Sequence, residues 1–521
     1  MKPSWYIIPP IKLNYNFTIE SLKKNIASTA GISVSDIHDL EIEKISIDAR
    51  KKVSKVVCCR ILTHAELEHY ENWTPQPLLN IPDLSRTEGA IKVIIAGFGP
   101  AGIGAAWLLS HAGCQVTVLE RGGPVPQRSK AWGLFMKDGI FRTDASLAFG
   151  EGGAGTFSDG KLNTRRNNPV YWNLFKRMMI SGGVSTQVFV KAHPHIGTDV
   201  LQKTIPVIRN RLKSLGVSFF WNNPLSDFQS HTRGVTCYTP DGEIHADYLI
   251  LATGGNAYNI PDIIQKKGVQ IQSRHLQMGV RIEHTAQEIN KARYGTFSKE
   301  TAYDAAEYNF VHKTSGIRTF CMCPGGEIVC ASTEEGSLTI NGMSNSHRNS
   351  RFSNSALISN IPVSSWKDGI NLVSRIEKDC FTAGGSDYSA PFQLVKDFLK
   401  GQLSPETETS YRRGLKSNDL NRLLPNSYTS NLQKALGSLN LFLPGVTDGT
   451  LIAPETRVTP PWRYERDENG WILPGVMTAG EGSGWSSGIS TSSMDGMKIA
   501  HNLLIKISDQ MKISEGKTVT I

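Results

Sequence analysis

The feature of this sequence that most restricts its fold is the segment at residues 93–122, VIIAGFGPAGIGAAWLLSHAGCQVTVLERG. Its pattern predicts an apolar strand, a glycine turn, an apolar helix and a second strand. Gly97 permits the tight turn, Gly99 lets the backbone approach a pyrophosphate, and Gly102 allows the helix to pack closely on the strand. The start of the helix supplies N–H donors and a positive dipole. The segment therefore predicts a Rossmann-like dinucleotide site.

Glu120 ends the second strand of this unit. At this position a carboxylate can accept hydrogen bonds from both ribose hydroxyls, and it repels the extra phosphate of NADP. The unit therefore favours FAD or NAD. Ala101 in the turn and Arg121 beside the carboxylate are assigned to the same site.

A second strand-turn-helix pattern at residues 475–500 favours FAD over NAD. Gly480 and Glu481 follow an apolar strand, and a Gly/Ser-rich turn leads into a helix near Gly488 and Ile489. Such a helix can direct its N–H groups at the pyrimidine edge of an isoalloxazine ring, where reduction places negative charge. An ordinary glycine-rich loop is the alternative.

Two further segments fit a bound dinucleotide. The strand at residues 248–252 runs into the small-residue turn of Thr253 and Gly254. The loop at residues 149–161, FGEGGAGTFSDGK, contains glycines that let the backbone lie against a flat ring or a phosphate. We assign the following residues of this loop to the cofactor: Gly150, Gly153, Gly155 and Ser158.

Lys161 closes the same loop. Placed near the flavin, its ammonium group would stabilise the reduced anion. A surface lysine without such a role is the alternative.

Segments spread over residues 40–505 resemble the FAD-dependent dehydrogenases, a family of flavoproteins related to glutathione reductase. The segments that carry this resemblance are SIDAR at 46–50, residues 149–161, HIGT at 195–198, GVRIEH at 279–284, FCMCPGG at 320–326, ETR at 455–457 and AGEG at 479–482. The resemblance implies bound FAD, a two-lobed fold and oxidoreductase chemistry, and it implies no particular substrate. One stretch, SGWSS at residues 483–487, departs from the family pattern. This departure predicts either a different substrate or drift in a tolerant loop.

The predicted fold class is α/β, with a Rossmann-like FAD-binding domain of glutathione-reductase type, an inserted mixed α/β domain and a small N-terminal βαββ domain. The predicted units are residues 1–85, the N-terminal domain and its linker; 90–262 and 446–506, the FAD-binding domain; 265–445, the inserted substrate domain; and 507–521, a frayed polar tail. Within the inserted domain, strands are expected at 276–284 and 318–332, and helices at 366–376 and 391–401.

Composition sets the class of protein. Of the 521 residues, 39% are hydrophobic and 20% charged, as in a soluble globular enzyme. No apolar run is long enough to span a membrane and no secretory signal is visible, so we expect a cytoplasmic protein. No cysteine and histidine spacing predicts a metal site. The sequence leaves the oligomeric state open.

The formal net charge of +9 favours anionic ligands. A basic cluster in the N-terminal unit could contact RNA, although a solvated sheet edge is the commoner case. Its members are Lys44, Arg50, Lys51, Lys52 and Lys55.

Cys321 and Cys323 lie in a predicted hairpin around Gly325 and Gly326. Strand alternation puts both thiols on one face, where a disulfide between them would be strained. A two-residue turn would place Cys321 opposite Cys330 instead. A redox pair, substrate-facing thiols and inert core cysteines remain open interpretations.

Arg281 and His284 are further catalytic candidates. Alternation puts Arg281 and Glu283 on one strand face, where they could pair, and His284 on the other. His284 could accept a proton as hydride leaves the substrate, and Arg281 could bind an anion. Structural roles for both remain the commoner case.

The sequence thus predicts an FAD-dependent oxidoreductase that transfers a hydride between a small organic molecule and FAD. Only one complete glycine fingerprint is present, so NAD(P)H, if used, would bind transiently at the flavin. The alternatives are an NAD(P)H-dependent flavin monooxygenase and a flavin-bearing sensor with an RNA-contacting N-terminal domain.

Overall fold

The structure, a computed structural model, describes residues 2–50, 52–75, 78–85, 89–162, 168–295, 304–511 and 518–521. Lys51 of the basic cluster and residues 512–517 of the predicted tail lie outside the described residues.

Strands and helices alternate along the described chain. The strands are β1 (Ser4–Asn14), β2 (Asp39–Asp48), β3 (Ser54–Thr63), β4 (Asn72–Trp73), β5 (Asn80–Pro82), β6 (Lys92–Ala96), β7 (Gln115–Leu119), β8 (Ser218–Phe220), β9 (Asp227–His231), β10 (Gly234–Thr239), β11 (Gly242–Ala246), β12 (Tyr248–Leu251), β13 (Ile271–Ser273), β14 (Leu276–Thr285), β15 (Arg318–Cys323), β16 (Glu327–Cys330), β17 (Ile340–Met343), β18 (Phe352–Ile361), β19 (Ala390–Leu394), β20 (Leu415–Ser417), β21 (Thr450–Thr459), β22 (Trp462–Tyr464), β23 (Trp471–Leu473), β24 (Val476–Thr478) and β25 (Thr518–Thr520). The α-helices are α1 (Ile19–Ala30), α2 (Pro100–His111), α3 (Val125–Asp138), α4 (Pro169–Ser181), α5 (Thr198–Ser214), α6 (Ile260–Lys266), α7 (Ala286–Tyr294), α8 (Trp366–Ala383), α9 (Val395–Lys400), α10 (Leu420–Leu423), α11 (Asn426–Phe442) and α12 (Ile489–Met511).

The N-terminal unit is a sheet of order β2-β3-β1-β4 covered by α1. Helix α1 begins at a capping box in which Thr18 and Ser21 bond each other's backbone N–H groups. Its inward face buries Leu22 and Ile26 against the sheet. The predicted strand, helix and pair of strands therefore all form in this order.

The central sheet has the order β23-β24-β12-β6-β7-β8 and is parallel except for the edge strand β23. Strand β6 is apolar on both faces because both faces are covered. Val93 and Ile95 contact the core under the helices, whereas Ile94 and Ala96 contact the three-stranded sheet β11-β10-β9. This arrangement is the α/β architecture predicted from the glycine fingerprint.

A second six-stranded sheet has the order β15-β18-β14-β21-β19-β20. Its centre is the long antiparallel pair β14 and β18, which stays in register from Leu276 opposite Ile361 to Thr285 opposite Phe352. Helices α8 and α11 pack against it through an extensive apolar core. This sheet forms the second lobe of the molecule.

Strand pairing corrects several expectations. Strand β21 lies between β14 and β19 in the second sheet, although its residues were predicted to belong with the FAD-binding domain from residue 446 onward. Strand β19 occupies residues 390–394, where a helix was expected to start. The tail is not wholly frayed, because β25 pairs with β5.

The predicted hairpin around Gly325 and Gly326 does not form. Strand β15 pairs with β18, and β16 pairs with β17. Cys321 is therefore not opposite Cys330 in a two-stranded ladder. Long-range pairing replaced the local turn because β18 offers a full-length partner in the second sheet.

Candidate functional site

A cavity of about 730 Å³ lies between the carboxyl ends of the central parallel strands and the second sheet. We call it the main cavity. The central strands contribute the residues that follow β6, β7 and β12, which is where open α/β sheets bind ligands. Cys321, Asn341 and Glu455 line it from strands of the second lobe.

The glycine turn after β6 has the backbone geometry that its sequence requires. Gly97 has φ +104°, and a Cβ there would lie 2.4 Å from the Ala252 carbonyl oxygen. A Cβ on Gly102 would lie 2.0 Å from the Gly97 carbonyl oxygen, so α2 packs directly on the turn. Gly99 caps α2, and the first turn of that helix borders the main cavity at Ala101.

Glu120 lies at the end of β7 and lines the main cavity while only 5% exposed. Its carboxylate accepts hydrogen bonds from the backbone N–H groups of Phe98 at 2.8 Å, Gly122 at 2.9 Å and Gly150 at 3.1 Å. These bonds fix the carboxylate at the cavity wall. Beside it, the Arg121 guanidinium lies over the Phe149 ring at 3.7 Å.

Arg128 holds the loop at residues 146–153 against the nucleotide side of the site. Its guanidinium is fully buried and donates to the carbonyl oxygens of Leu147 at 2.9 Å and Gly153 at 3.0 Å. Burial lowers the pKa of Arg128 to about 9. Sequence reasoning missed this residue, because a lone arginine on a helix carries no signal of the loop that it will meet.

The turn before α12 forms another wall. Gly480 has φ +80° and lies against Ala101, so the second strand-turn-helix unit packs on the first. The Glu481 carboxylate accepts a hydrogen bond from the Ser487 hydroxyl at 3.0 Å, and burial raises its pKa to about 7. Gly488, with φ +82°, would direct a Cβ into open space.

The residues present fit FAD. Of the cofactor residues predicted from the sequence, all but two line the main cavity: Gly97, Gly99, Ala101, Glu120, Arg121, Gly150, Gly153, Gly155, Ser158, Thr253, Gly254, Glu481, Gly488 and Ile489. The two others, Gly102 and Gly480, support the turns from behind. The starts of α2 and α12 both border the cavity, at Pro100 and Ile489, and supply N–H donors for anionic groups.

Lys161 lines the main cavity and bonds across to the second lobe. Its ammonium group donates to Asp159 at 2.5 Å and to the Met322 carbonyl oxygen. Burial alone would lower the pKa of Lys161, but Asp159 outweighs it and raises the pKa. The lysine therefore remains a cation at the cavity wall.

Asp159 is fully buried between two cations. Arg348 donates at 2.7 Å to Oδ2, the oxygen that also accepts from Lys161, and Ser344 donates to Oδ1. Burial opposes ionisation, yet Lys161 and Arg348 together hold the pKa of Asp159 well below its usual range. This ionic cluster links the loop at residues 149–161 to the second lobe.

Arg281 lies behind the main cavity and pairs with Glu455. Its Nη1 donates to Glu455 at 2.6 Å and its Nε to Asn354 at 2.8 Å. The predicted pairing of Arg281 with Glu283 is wrong, because Glu283 accepts hydrogen bonds from the Thr409 hydroxyl at 2.7 Å and the Ser410 backbone. Arg281 is fully buried and does not line the cavity, so the geometry does not support its predicted role as an anion clamp.

Glu455 itself faces the main cavity, and sequence reasoning did not assign it a role. Burial raises its pKa to about 7, although Arg281 opposes that shift. The ETR segment that contains Glu455 was part of the family resemblance, which was the available signal.

His284 does not line the main cavity. Its ring is buried, with Nε2 3.2 Å from the Val446 carbonyl oxygen, and it lies against Gly449. Burial lowers its pKa. A histidine packed in this core has no route to a bound substrate, so its predicted role as a base is not supported.

Cys321 lines the main cavity, whereas Cys323 is buried behind it. The strand alternation assumed for them fails, because Cys321 has φ +42° and the register with β18 shifts between Phe320 and Cys323. The Cys323 thiol donates to the Cys321 carbonyl oxygen at 3.3 Å. Cys323 therefore lies directly behind the part of the wall that Cys321 forms.

Within the described ranges, no cluster of three or more histidine, cysteine or acidic side chains is arranged to hold a metal ion. Among the helices that the structure describes, none has the length and apolar character needed to cross a membrane.

Comparison with known proteins places these features in families. Residues 90–284 match the family described as an FAD binding domain, and residues 275–458 match the FAD-dependent protein, C-terminal domain-like family. Residues 9–61 match a domain of unknown function. The first two matches together cover residues 90–458, which contribute to both lobes around the main cavity.

An uncharacterized protein of Clostridium beijerinckii is 31% identical over 523 aligned positions, which cover 95% of this chain and 98% of the relative. Solved structures that are similar include an anhydrotetracycline hydroxylase of Streptomyces rimosus, at 14% identity over 81% of this chain and 63% of the other, with a TM-score of 0.36. A glycine oxidase of Bacillus cereus is 9% identical over 83% of this chain and 99% of the other, also with a TM-score of 0.36. Similarity this low says nothing about the chemistry of this chain.

The near full-length match to the clostridial protein, the FAD-binding match and the cavity that fits FAD lead to one conclusion. This chain belongs to the same family as that clostridial protein, and it is an FAD-dependent oxidoreductase.

Proposed function

We propose that the protein is a dehydrogenase that transfers a hydride between a small organic substrate and FAD. One observation carries this proposal. The main cavity continues from the FAD-binding residues to a wall of polar side chains from the second lobe, where Cys321, Asn341 and Glu455 lie within the same enclosed space as Lys161.

FAD, when bound, supplies a two-electron acceptor. The protein must then position the substrate and accept the proton that leaves as the hydride departs. Glu455 can accept this proton, because its carboxylate faces the cavity and burial raises its pKa to about 7. A base with a pKa near the working pH is both available and strong enough to accept a proton.

Lys161 and Asn341 can position the substrate. The Lys161 cation lies at the cavity wall and is fixed by Asp159, so it can stabilise negative charge without reorganising. The Asn341 side chain also lies at the wall, and its Oδ1 accepts a hydrogen bond from Arg281 at 3.3 Å. Two fixed polar groups on opposite elements can orient a small polar substrate.

The test is anaerobic flavin reduction. Purified protein with bound FAD is mixed with a panel of alcohols, hydroxy acids, amines and amino acids, and bleaching of the flavin absorbance is followed. A substrate should bleach the flavin at a rate that rises with pH and levels off above about 7, because Glu455 accepts a proton only when it is ionised. Glu455→Gln should remove this pH dependence and slow bleaching by about 100-fold.

The matched control is Glu408→Gln, a change at an exposed carboxylate that pairs only with Arg351 among the described ion pairs. It should leave both the rate and its pH dependence unchanged. Bleaching by NADH or NADPH alone, followed by oxygen uptake and substrate hydroxylation, would contradict a dehydrogenase and establish a monooxygenase.

A further inference from the structure

Cys321 is held in a conformation that non-glycine residues rarely adopt. Its φ of +42° is strained for a residue with a Cβ and is retained only when the surroundings over-determine it. The surroundings here include two cations that bond successive carbonyl groups. Arg281 donates to the Cys321 carbonyl oxygen at 2.7 Å, and Lys161 donates to that of Met322.

This bend places the Cys323 thiol against the backbone of Cys321. In a regular strand, thiols two residues apart lie parallel and too far apart to bond without strain. The left-handed Cys321 and the register shift remove that regularity, and the Cys323 sulfur lies 3.3 Å from the Cys321 carbonyl oxygen. Arg281 also approaches the Cys323 sulfur, at 3.8 Å.

The pKa values of the two thiols are shifted in opposite directions. The pKa of Cys321 is lowered to about 6 when the single hydrogen of the Cys323 thiol turns from the Cys321 carbonyl oxygen to the Cys321 sulfur, and the charges of Lys161 and Arg281 add to this effect against the cost of burial. The pKa of Cys323 is raised, because Cys323 supplies that hydrogen bond and is itself buried. A cavity-facing thiolate beside a protonated thiol is the arrangement used in thiol-disulfide exchange.

We propose that Cys321 and Cys323 form a dithiol-disulfide pair that exchanges two electrons with FAD in the main cavity, with a low-molecular-weight thiol or disulfide as the external partner. The proposal rests on FAD occupying the main cavity, and it does not require hydride transfer from a carbon substrate.

The chemistry balances without another reagent. Formation of one S–S bond from the Cys321 thiolate and the Cys323 thiol breaks one S–H bond and releases two electrons and one proton. Two electrons and one proton are also what FAD takes up when it becomes its reduced anion. The external thiol then restores the pair by exchange: two RSH molecules become one RSSR, the protein regains its thiolate and its thiol, and one proton is released to solvent.

The first experiment measures the oxidation state of the two thiols by alkylation. Full-length protein with bound FAD is treated anaerobically with reduced or with oxidised dithiothreitol, denatured, and alkylated with N-ethylmaleimide. After cleavage at Glu327, which separates Cys330, the peptide that contains residues 321–323 should carry two labels after reduction and none after oxidation. The peptide with Cys237, a buried cysteine of the three-stranded sheet, should carry one label in both states. Two labels on the 321–323 peptide in both states would overturn the proposal.

The second experiment measures the rate of flavin reduction. Reduced dithiothreitol is added anaerobically, and bleaching of the flavin absorbance is followed. Cys321→Ser and Cys323→Ser should each slow bleaching at least 10-fold, whereas Cys58→Ser, a change in the N-terminal sheet, should not. Equal rates in all variants that retain FAD would overturn the proposal.

The two experiments also separate this pair from the dehydrogenase proposed above. One outcome is that dithiothreitol bleaches the flavin and the disulfide forms, while no organic hydride donor reduces the flavin of the same protein. That outcome would support the cysteine pair and contradict the dehydrogenase.

Discussion

At the residue level, Glu120 is the clearest test of cofactor binding. Its carboxylate is fixed at the cavity wall by backbone N–H groups, which leaves its remaining acceptor sites for ligand hydroxyls. Glu120→Gln removes the charge and turns one acceptor into a donor. We expect the Kd for FAD to rise by about 10- to 100-fold, since hydrogen bonds to charged groups contribute about 1.5–3 kcal/mol. Titration calorimetry with FAD measures this change.

The control for Glu120→Gln is again Glu408→Gln, at an exposed carboxylate far from the cavity lining. Circular dichroism of each variant must match the parent, because Glu120 also bonds the glycine turn. An unchanged Kd in folded Glu120→Gln protein would contradict the assignment of this carboxylate to the ribose.

Asp159 is a second residue whose role can be measured. Asp159→Asn leaves Lys161 and Arg348 facing each other without the carboxylate between them. Removing one member of a buried ionic cluster costs about 3–5 kcal/mol, so we expect the free energy of unfolding to fall by that amount at pH 7. Urea denaturation gives the value.

The pH dependence of this loss has a defined sign. Lys161 and Arg348 depress the pKa of Asp159 in the folded state, so its contribution is present above its unfolded pKa of about 4 and is lost as the pH falls below that value. The difference between parent and Asp159→Asn should therefore shrink between pH 5 and pH 3. A difference that is constant over this range would contradict the ionic origin of the stabilisation.

At the level of elements, the contact between α2 and α12 depends on glycine. A Cβ on Gly496 would lie 2.0 Å from the Ala101 carbonyl oxygen, and one on Gly104 would lie 2.3 Å from the Ser493 carbonyl oxygen. These two helices start at the main cavity, so their separation also sets the distance between their N-termini.

Gly496→Ala should push the helices apart. We expect it to lower the free energy of unfolding by about 1–3 kcal/mol, as overpacking of a close contact does, and to weaken FAD binding. The matched control is Gly437→Ala in α11, where a Cβ meets no atom within 4 Å. That change should stabilise the protein by about 0.4–1 kcal/mol. Equal effects of the two substitutions in urea denaturation would contradict the close packing.

At the level of the whole molecule, the N-terminal unit docks on the rest of the protein, and none of its described residues lines the main cavity. Ile45 exchanges backbone hydrogen bonds with Val190 at 2.6 Å and Ala192 at 2.8 Å, and the Tyr15 hydroxyl accepts one from the Asp304 backbone at 2.9 Å. Every residue that lines the main cavity follows residue 95.

Deletion of residues 1–75 should therefore preserve FAD binding. The deletion leaves β5 in place, because β5 pairs with β25. We expect the FAD content of the shortened protein to match that of the full chain, while its Tm falls because Tyr15 and Val53 no longer cover the apolar core of the second lobe. Loss of FAD from a truncated protein that keeps its circular dichroism spectrum would show that the N-terminal unit supports the site.

The sequence predicted many of the residues that line the glycine-turn side of the main cavity, because that side is built from local patterns, and their individual roles toward FAD stay predictions. In the Gly97 turn, in Glu120 and in the turn before α12, each role follows from residues within one strand-turn-helix unit. The resemblance to flavoproteins agrees with the family matches, while the finer relation to glutathione reductase and the role of residues 1–85 stay predictions.

Only the tertiary structure showed which residues meet in the cavity wall that the second lobe forms. Arg281 and Glu455 are 174 residues apart, and Lys161 meets Met322 across 161 residues. Such pairs depend on which strands become neighbours, and a local pattern cannot specify that choice. The sequence by itself determined the glycine turns and helix N-termini that border the main cavity, because turn geometry and helix N-termini are local properties. Packing of the second sheet against the first determined that Glu455, Lys161 and Cys321 share one cavity and that His284 does not.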